Sequence, residues 1–234
     1  MNLVLLEPGE LGGGRATLGG RRARHIAEIH RATVGKRLRV GVIGGALGTG
    51  VVVSVQADAV VLDVELDGPP PPPVPCILAL ALPRPRVLHR VLGAAAAFGL
   101  KRIALFGSRR VEKSYWQSPV LADEAIRAQL LEGLEQGGDT VLPVVTRHLR
   151  FRPFVEDELG ALAAGSLALV ADPSGAEPCP RADGAAVTLV VGPEGGFVDY
   201  ELDLLRAAGF RAVTLGVRPL RVEHAFAALL GRLF

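Results

Sequence analysis

The stretch that most constrains the fold covers residues 187–197, where a continuous apolar run meets a glycine-rich turn. Such a run indicates a strand buried on both faces of a sheet. Gly192, Gly195 and Gly196 allow the turn to adopt positive φ and to approach a ligand with no side chain in the way. An acidic helix start follows at Asp199. The pattern predicts a strand, a ligand loop and a helix, although a lone glycine loop also fits an ordinary tight turn.

A second strand, loop and helix follow directly. Residues 211–215 form a short apolar run, residues 216–221 contain a glycine and a proline, and a helix is predicted from Val222 to the C-terminus. Consecutive units of this kind place their loops at the same edge of a sheet. We therefore expect both loops to line one crevice beyond the carboxyl ends of the strands.

The rest of the C-terminal half alternates between predicted strands and helices. Strands are predicted over residues 76–82, 103–106, 141–145 and 167–171, and helices over 86–97, 118–137 and 156–164. For the middle helix, Ser118 is predicted as the N-cap, and the proline that follows it occupies the first helical position. This alternation predicts an α/β fold with a mostly parallel sheet.

The N-terminal part has a different pattern. Short strands are predicted over residues 2–6, 37–43, 50–56 and 59–66, with a flexible glycine-rich stretch over 12–20 and a basic helix over 21–32. Strands of this length and spacing predict a small antiparallel β-barrel. The proline run at 68–73 cannot continue a sheet or a helix and favours an extended linker. The predicted organisation is a barrel over 1–68, a linker over 69–75 and an α/β domain over 76–234.

Two motifs in the C-terminal part carry a family resemblance. The first is GPEGGF at residues 192–197, and the second is LGxRxLRxE, formed by Leu215, Gly216, Arg218, Leu220, Arg221 and Glu223. In order and spacing this pair resembles the end of the SPOUT methyltransferases, and more closely the RsmE-like family. That family methylates N3 of a uridine in small-subunit (16S) ribosomal RNA. The resemblance implies a deep trefoil knot, a PUA-like N-terminal domain that binds RNA, and a homodimer with the RNA site between subunits.

The resemblance also implies a cofactor site. In the knotted family, S-adenosylmethionine is held largely by backbone groups of three loops. The matching cofactor-binding positions here are Gly192, Pro193, Glu194, Gly195, Gly196, Leu215, Gly216, Arg218, Leu220 and Arg221. The third loop would follow the strand at 167–171, where the sequence has no distinctive motif. Glycines suit this role because backbone groups can meet adenine edges only where side chains are absent.

Three residues are candidates for the catalytic chemistry. Loss of the weakly acidic N3 proton needs a base or a nearby cation. Arg221 is expected to stabilise negative charge on the base, while Glu223 and Glu194 orient the ring or accept a proton. A surface salt bridge remains an alternative for Arg221, and a helix-start position for Glu194.

Candidate RNA-binding residues lie in two basic stretches. The net charge is only +2, so local clusters must carry the argument for a polyanion partner. We expect phosphate contacts from the helix at 21–32 and its extension, and from a loop near residue 110. The predicted RNA-binding residues are Arg22, Arg24, Lys36, Arg37, Arg109 and Arg110. Tyr115 and Trp116 lie in the same loop, where they either stack on an extruded base or pack against a helix.

Some positions depart from the family pattern. Ala97 stands where glutamate is common, Ser108 lies in a stretch that usually reads Ser-Glu-Arg-Ser, and Asp139 replaces an arginine. Val222 and His224 stand where threonines are usual. These departures motivate an alternative, a degenerate relative that binds ribosomal RNA without methylating it or that methylates another nucleotide. A dinucleotide-binding oxidoreductase is disfavoured because no glycine fingerprint follows the first α/β strand.

The remaining features indicate a cytoplasmic protein without a metal. Cys76 and Cys179 are the only cysteines, and they read as free thiols in a reducing compartment. The cysteines and the five histidines show no ligand spacing for a metal. The N-terminus has no basic region before its apolar residues, so neither a signal peptide nor a membrane span is expected.

Overall fold

The computed structural model describes residues 2–56, 58–175 and 177–234. It divides into two compact units. The N-terminal unit contains the chain up to Pro72 together with Ala96–Gly99 and Leu130–Leu142. The C-terminal unit contains Pro73–Ala95, Leu100–Gln129 and Pro143–Phe234. The proline run marks where the chain first passes between the units, whereas sequence alone gave no sign that two later segments belong to the N-terminal unit.

The N-terminal unit is built on a six-stranded sheet. Its strands are β1 (Val4–Leu6), β2 (Leu11–Gly12), β3 (Arg15–Gly19), β4 (Arg37–Val42), β5 (Leu47–Val55) and β6 (Ala59–Gly68), in the order β1-β4-β5-β6-β3-β2. Helix α1 (Gly20–Arg24) continues into a π-helical turn at His25–Ile29. The expected antiparallel barrel is not confirmed: β1 pairs with β4 in parallel, and the edge strands β1 and β2 do not pair with each other in the described part of the chain.

The glycine-rich stretch near the N-terminus is a β-hairpin, contrary to the expectation of a flexible segment. β2 and β3 pair so that Gly12 lies opposite Arg15, which leaves a loop of Gly13 and Gly14. Both loop residues have positive φ, at 58° and 80°. Tight hairpins with right-handed strand twist favour such a conformation, and glycine adopts it without a steric penalty.

The C-terminal unit is an α/β structure with a seven-stranded sheet. The strands are β7 (Cys76–Ala81), β8 (Arg102–Phe106), β9 (Val144–His148), β10 (Leu167–Ala171), β11 (Glu177–Pro178), β12 (Val187–Val191) and β13 (Arg211–Thr214). Their order is β11-β13-β10-β12-β7-β8-β9, and every described pair is parallel. The expectation of a mostly parallel α/β sheet is therefore confirmed.

Helices connect these strands. They are α2 (Pro85–Ala97), α3 (Asp123–Gly137), α4 (Phe151–Pro153), α5 (Gly160–Leu162), α6 (Asp199–Ala207) and α7 (Val222–Leu233), with a π-helical turn at Phe154–Leu159 between α4 and α5. Short 3₁₀ turns at Lys113–Gln117 and Pro119–Leu121 precede α3. The Ser118 hydroxyl caps the second of these turns and not α3 itself.

The third strand of the α/β part begins later than predicted. The sequence pattern favoured residues 141–145, and the structure places β9 at Val144–His148. Pro143 has no backbone N–H to donate to a neighbouring strand, so ladder pairing can begin only beyond it. The Val144 N–H donates to the Lys101 carbonyl at 2.9 Å and starts the pairing with β8.

The core of the C-terminal unit lies against the apolar β12. Val187, Thr188, Leu189, Val190 and Val191 are all buried, as expected for a central strand. On one face the Phe106 ring stacks on Phe154 with centroids 5.1 Å apart and on Phe197 with centroids 6.2 Å apart. Phe197 thereby fixes the far end of the glycine-rich loop to the core.

Both cysteines are free and buried, which confirms the expectation of unpaired thiols. Burial raises the pKa of the Cys76 thiol to about 12. Among the described residues, no helix is both long and apolar enough to cross a membrane.

Candidate functional site

The carboxyl ends of the parallel strands gather the predicted loops at one edge of the C-terminal sheet. β10 lies between β12 and β13, and β12 lies beside β7. The segments that follow these strands therefore converge, as the two-unit pattern in the sequence predicts. This is also the edge at which ligands bind in open α/β sheets.

A first cavity of about 370 Å³ opens between three of these segments. Its walls come from the loops after β10, β12 and β13 and from the first turns of α7. The lining residues are Ala171, Asp172, Pro173, Val191, Gly192, Pro193, Glu194, Gly196, Val213, Thr214, Leu215, Gly216, Arg218, Pro219, Leu220, Arg221, Val222, Ala225 and Leu229. All predicted cofactor-binding residues except Gly195 are in this set.

Glycine is required at specific points of the cavity wall. A Cβ at Gly192 would lie 3.2 Å from the Phe197 ring, closer than ordinary packing allows. Gly196 and Gly216 have φ of 69° and 113°, which side chains disfavour. Gly195 faces elsewhere, and its carbonyl accepts a hydrogen bond from the Arg110 guanidinium.

Asp172 is the residue of this cavity that the sequence did not reveal. It follows β10 directly and is only 9% exposed. Its Oδ1 accepts hydrogen bonds from the backbone N–H of Ser174 at 3.0 Å and from the Ser174 hydroxyl at 2.8 Å. Its Oδ2 is buried without a hydrogen-bond partner among the described residues. An unpaired buried carboxylate oxygen is costly, so this atom marks a place where a ligand would supply a donor.

A second cavity, of about 660 Å³, adjoins the first. Glu194 and Arg221 line both cavities. The full lining is Arg84, Pro85, Arg86, Val87, Arg90, Tyr115, Glu194, Arg221 and Glu223. We refer to it as the arginine cavity, because four of these side chains are guanidinium groups.

The three predicted catalytic residues all line the arginine cavity, and two of them, Glu194 and Arg221, also line the first cavity. Arg221 is exposed at the N-cap position of α7, and its side chain has no ion-pair partner within the described chain. The Glu194 carboxylate accepts a hydrogen bond of 3.0 Å from the Arg84 backbone N–H. Glu223 accepts one of 3.1 Å from the Arg90 guanidinium. The structure thus places Arg221 beside two carboxylates that are held by hydrogen bonds.

Glu223 is held in its ionised form. Its side chain is only 10% exposed. The pKa of its carboxyl is lowered from the ordinary value, because its own backbone N–H donates to it and the Arg90 guanidinium lies beside it, which together outweigh its burial. Its Oε2 is buried and has no hydrogen-bond partner in the described part of the chain. An ionised carboxylate can only accept, so the partner that this oxygen lacks is an N–H or O–H donor.

The predicted RNA-binding residues do not form one cluster. Arg22, Arg24, Lys36 and Arg37 belong to the N-terminal unit, and Arg109 and Arg110 belong to the C-terminal unit. Arg22 is largely engaged within its unit, because its guanidinium donates to Glu10 at 2.5 and 2.7 Å and to the Leu5 carbonyl at 2.8 Å. The side chains of Arg24 and Arg37 are exposed.

The loop after β8 is tied to its neighbours by hydrogen bonds. The Arg109 backbone N–H donates to Glu201 at 2.7 Å. The Tyr115 hydroxyl donates to Glu112 at 3.1 Å and accepts from the Arg84 guanidinium. Tyr115 therefore lies at the wall of the arginine cavity, whereas Trp116 does not line it.

The apolar face of α7 is not an exposed interface. On α7 the apolar residues recur at helical spacing, a pattern that also suits a contact between subunits; they are Ala225, Phe226, Leu229, Leu230 and Leu233. Phe226, Leu229, Leu230 and Leu233 are between 0 and 3% exposed within this single chain. These four residues belong to the core of the chain itself, whereas Ala225 is partly exposed.

Known proteins resemble this chain over most of its length. The model of the RNA methyltransferase domain family matches residues 70–233. Ribosomal RNA small subunit methyltransferase E of Treponema pallidum is 30% identical over 235 residues, which cover 97% of this chain and 88% of that protein. Among solved structures, that of ribosomal RNA small subunit methyltransferase E from Neisseria gonorrhoeae, bound to S-adenosyl methionine, has a TM-score of 0.75 at 21% identity and covers 99% of this chain and 96% of that one. The structure of Lpg2936 from Legionella pneumophila, in complex with the same cofactor, has a TM-score of 0.74 at 21% identity and covers 98% of this chain and 96% of that one.

Proposed function

Because the chain belongs to the RsmE-like family of RNA methyltransferases, we propose that it methylates N3 of a uridine in small-subunit ribosomal RNA with S-adenosylmethionine as the methyl donor. The observation that carries this proposal is the first cavity, where both family motifs and the loop after β10 converge. A ribosomal substrate would place the protein in the cytoplasm.

The residues of the first cavity fit S-adenosylmethionine. Its volume of about 370 Å³ is within the range of small-molecule sites. Apolar side chains from Val191, Leu215 and Leu220 and the bare backbone of the glycine loops suit a flat adenine ring. The unpaired Oδ2 of Asp172 offers an acceptor to a hydroxyl or amino group. When bound, the cofactor supplies an electrophilic methyl group on a positively charged sulfur.

The catalytic role falls to Glu194 and Arg221, which line both cavities, and to Glu223 of the arginine cavity. A base lying against Arg221 would develop negative charge as N3 loses its proton, and a free guanidinium stabilises that charge. Glu194 and Glu223 are fixed by Arg84 and Arg90, so they orient the ring or accept the proton. Most of the acceleration comes from holding the nucleophile in line with the methyl group.

The finer features of the family fold belong to the same proposal. α7 ends beside the loop that joins β10 to β12: the Ala182 N–H donates to the Leu233 carbonyl at 2.9 Å, and Arg232 donates to the Cys179 carbonyl at 2.9 Å. These contacts support a knot in which the last helix passes through that loop. A PUA-like role for the N-terminal unit and assembly as a homodimer are further parts of the proposal.

The proposal is tested by methyl transfer. Small ribosomal subunits from a strain that lacks its own uridine-N3 activity are incubated with the protein and labelled S-adenosylmethionine, and the RNA is digested for mass spectrometry. We expect one 3-methyluridine fragment. Cofactor binding without any methylated RNA would instead favour a degenerate protein that binds RNA but does not methylate it. A label on another base would show that the enzyme methylates a different nucleotide.

Arg221→Ala provides the matching test of mechanism. We expect methyl transfer to fall by about a hundredfold or more, in the range for loss of a single electrostatic stabiliser. Affinity for the cofactor should fall far less, because the cavity wall is mostly backbone and apolar side chains. Calorimetry and single-turnover kinetics separate the two effects. Unchanged methyl transfer would remove Arg221 from the mechanism.

A further inference from the structure

The arginine cavity has an excess of positive charge. Its wall contains the guanidinium groups of Arg84, Arg86, Arg90 and Arg221 and the carboxylates of Glu194 and Glu223. Arg86 projects from the first turn of α2 and is exposed. Neither Arg86 nor Arg221 has an ion-pair partner among the described residues. Such a concave, cationic surface favours an anionic ligand.

Glu223, which lines the same cavity, has an acceptor oxygen without a partner among the described residues. Arg90 fixes Oε1 of Glu223 at 3.1 Å, while Oε2 is buried and unpaired. A ligand that combines an anionic group with a neutral N–H or O–H donor would complement both features. A nucleotide of an RNA has both, in its phosphate and in the edge of its base.

The size of the arginine cavity and its position beside the first cavity also favour a nucleotide as the ligand. The cavity of about 660 Å³ accommodates a nucleotide but not a folded RNA helix. It shares Glu194 and Arg221 with the first cavity, so a base that enters it lies next to the proposed cofactor site. Tyr115 lines the wall and is held by Arg84 and Glu112.

From these observations we propose that the arginine cavity receives a single extruded nucleotide of the RNA, with its phosphate on Arg86 and Arg84 and an N–H of its base donating to Oε2 of Glu223. Arg90 is a positioning residue that fixes the Glu223 carboxylate. The inference rests on the proposed function, because it assigns the RNA subsite of the same enzyme. It uses none of the basic residues that the sequence pattern singled out in the N-terminal unit.

The phosphate contact is tested with Arg86→Ala in the full chain. Binding of a short fluorescein-labelled oligouridylate is followed by anisotropy over a series of salt concentrations in the presence of S-adenosylmethionine. We expect affinity to fall by about tenfold and the salt dependence to weaken by about one phosphate contact. Arg102→Ala is the matched control, because it removes the same charge from the exposed amino end of β8 and should change affinity less than about twofold.

The base contact is tested with Glu223→Gln. Arg90 is a donor, so it keeps the amide oxygen at the position of Oε1 and places the amide NH₂ at the position of Oε2. The variant then presents a donor to the base where the wild type presents an acceptor. Wild-type protein should bind the oligouridylate about tenfold more tightly than its 3-methyluridine counterpart, which lacks the N–H, and Glu223→Gln should lose this preference.

The outcomes separate this inference from the proposed function. Equal losses for Arg86→Ala and Arg102→Ala, no binding by the wild type, or a preference that Glu223→Gln retains would overturn the arginine cavity as the nucleotide subsite. Calorimetry with S-adenosylmethionine runs in parallel on every variant. Normal cofactor binding together with a negative RNA result rejects the subsite alone, whereas no cofactor binding by the wild type rejects the proposed function.

Discussion

Among single residues, Asp172 is a candidate cofactor-binding residue that lies outside the two recognisable motifs. The glycines and arginines of the two C-terminal loops could be identified from sequence because their spacing is distinctive. The loop after β10 has no such spacing, and a single aspartate in a turn-rich stretch is usually a cap. Here Oδ1 of Asp172 does accept a hydrogen bond from the Ser174 backbone N–H, as in a cap. Only the fold shows that Oδ2 is buried, in a residue that lines a cavity.

Asp172→Asn should weaken binding of S-adenosylmethionine by about tenfold, because the amide oxygen keeps the contact with Ser174 and the NH₂ group replaces the free acceptor. The melting temperature should hardly change. Asp203→Asn is a suitable control, since that carboxylate is exposed on α6, where it pairs with Arg206. Calorimetry on both variants makes the comparison, and equal affinities would show that Oδ2 does not face the cofactor.

The two adjacent glycines of the turn should respond differently to alanine. Gly196 has a φ of 69°, so Gly196→Ala is expected to lower the free energy of unfolding by about 1 kcal/mol and to distort the cavity wall. Gly195 has no positive φ, and its added Cβ would meet only the Arg110 side chain, at 3.0 Å, which can move. Urea denaturation compares the two variants, and a greater loss in Gly195→Ala would contradict this reading of the turn.

At the level of elements, periodicity predicted most strands and helices, and the errors have local causes. Pro143 delays β9, and the Gly13–Gly14 loop forms a hairpin where flexibility was expected. Pattern alone also could not show that the end of α3 belongs to the N-terminal unit. There the Glu135 carbonyl accepts from the N–H groups of Asn2 and Leu3 at 2.9 and 3.0 Å.

The ion pair between Arg21 and Glu135 should be asymmetric in its effect on stability. The Glu135 side chain is 5% exposed and that of Arg21 is 55% exposed, with a closest approach of 2.8 Å. Arg21→Ala leaves a buried carboxylate without its cation and should lower the free energy of unfolding by about 2 kcal/mol. Glu135→Gln leaves a guanidinium that water can reach and should cost less, about 1 kcal/mol. Denaturant titration of both variants is the check, and the reverse order would be inconsistent with these burials.

For the whole molecule, the N-terminal unit is not a simple appendage of the chain. It includes Leu130–Leu142, whose Thr140 carbonyl accepts from the Gly44 N–H at 2.8 Å and whose Thr140 hydroxyl donates to the Gly45 carbonyl at 2.6 Å. Sequence patterns do not predict that this segment belongs to the N-terminal unit, because its place depends on contacts between distant parts of the chain.

Deletion of residues 1–68 should therefore destabilise what remains. Glu135 and Thr140 would lose their hydrogen bonds to the backbone of Asn2, Leu3, Gly44 and Gly45. Hydrogen exchange should show lost protection over residues 130–142. Full protection there would mean that the segment folds without the N-terminal sheet. Single substitutions such as Arg24→Ala and Arg37→Ala are the better probes of RNA contacts in this unit.

The central claim is that the first cavity binds S-adenosylmethionine, and calorimetric titration of the full chain tests it most directly. We expect one molecule to bind per chain with micromolar-range affinity, typical of an enzyme for a metabolite. Asp172→Asn should bind it with lower affinity. Absence of binding, both alone and with RNA present, would contradict the account and would leave a protein that binds RNA through its basic surfaces without transferring a methyl group.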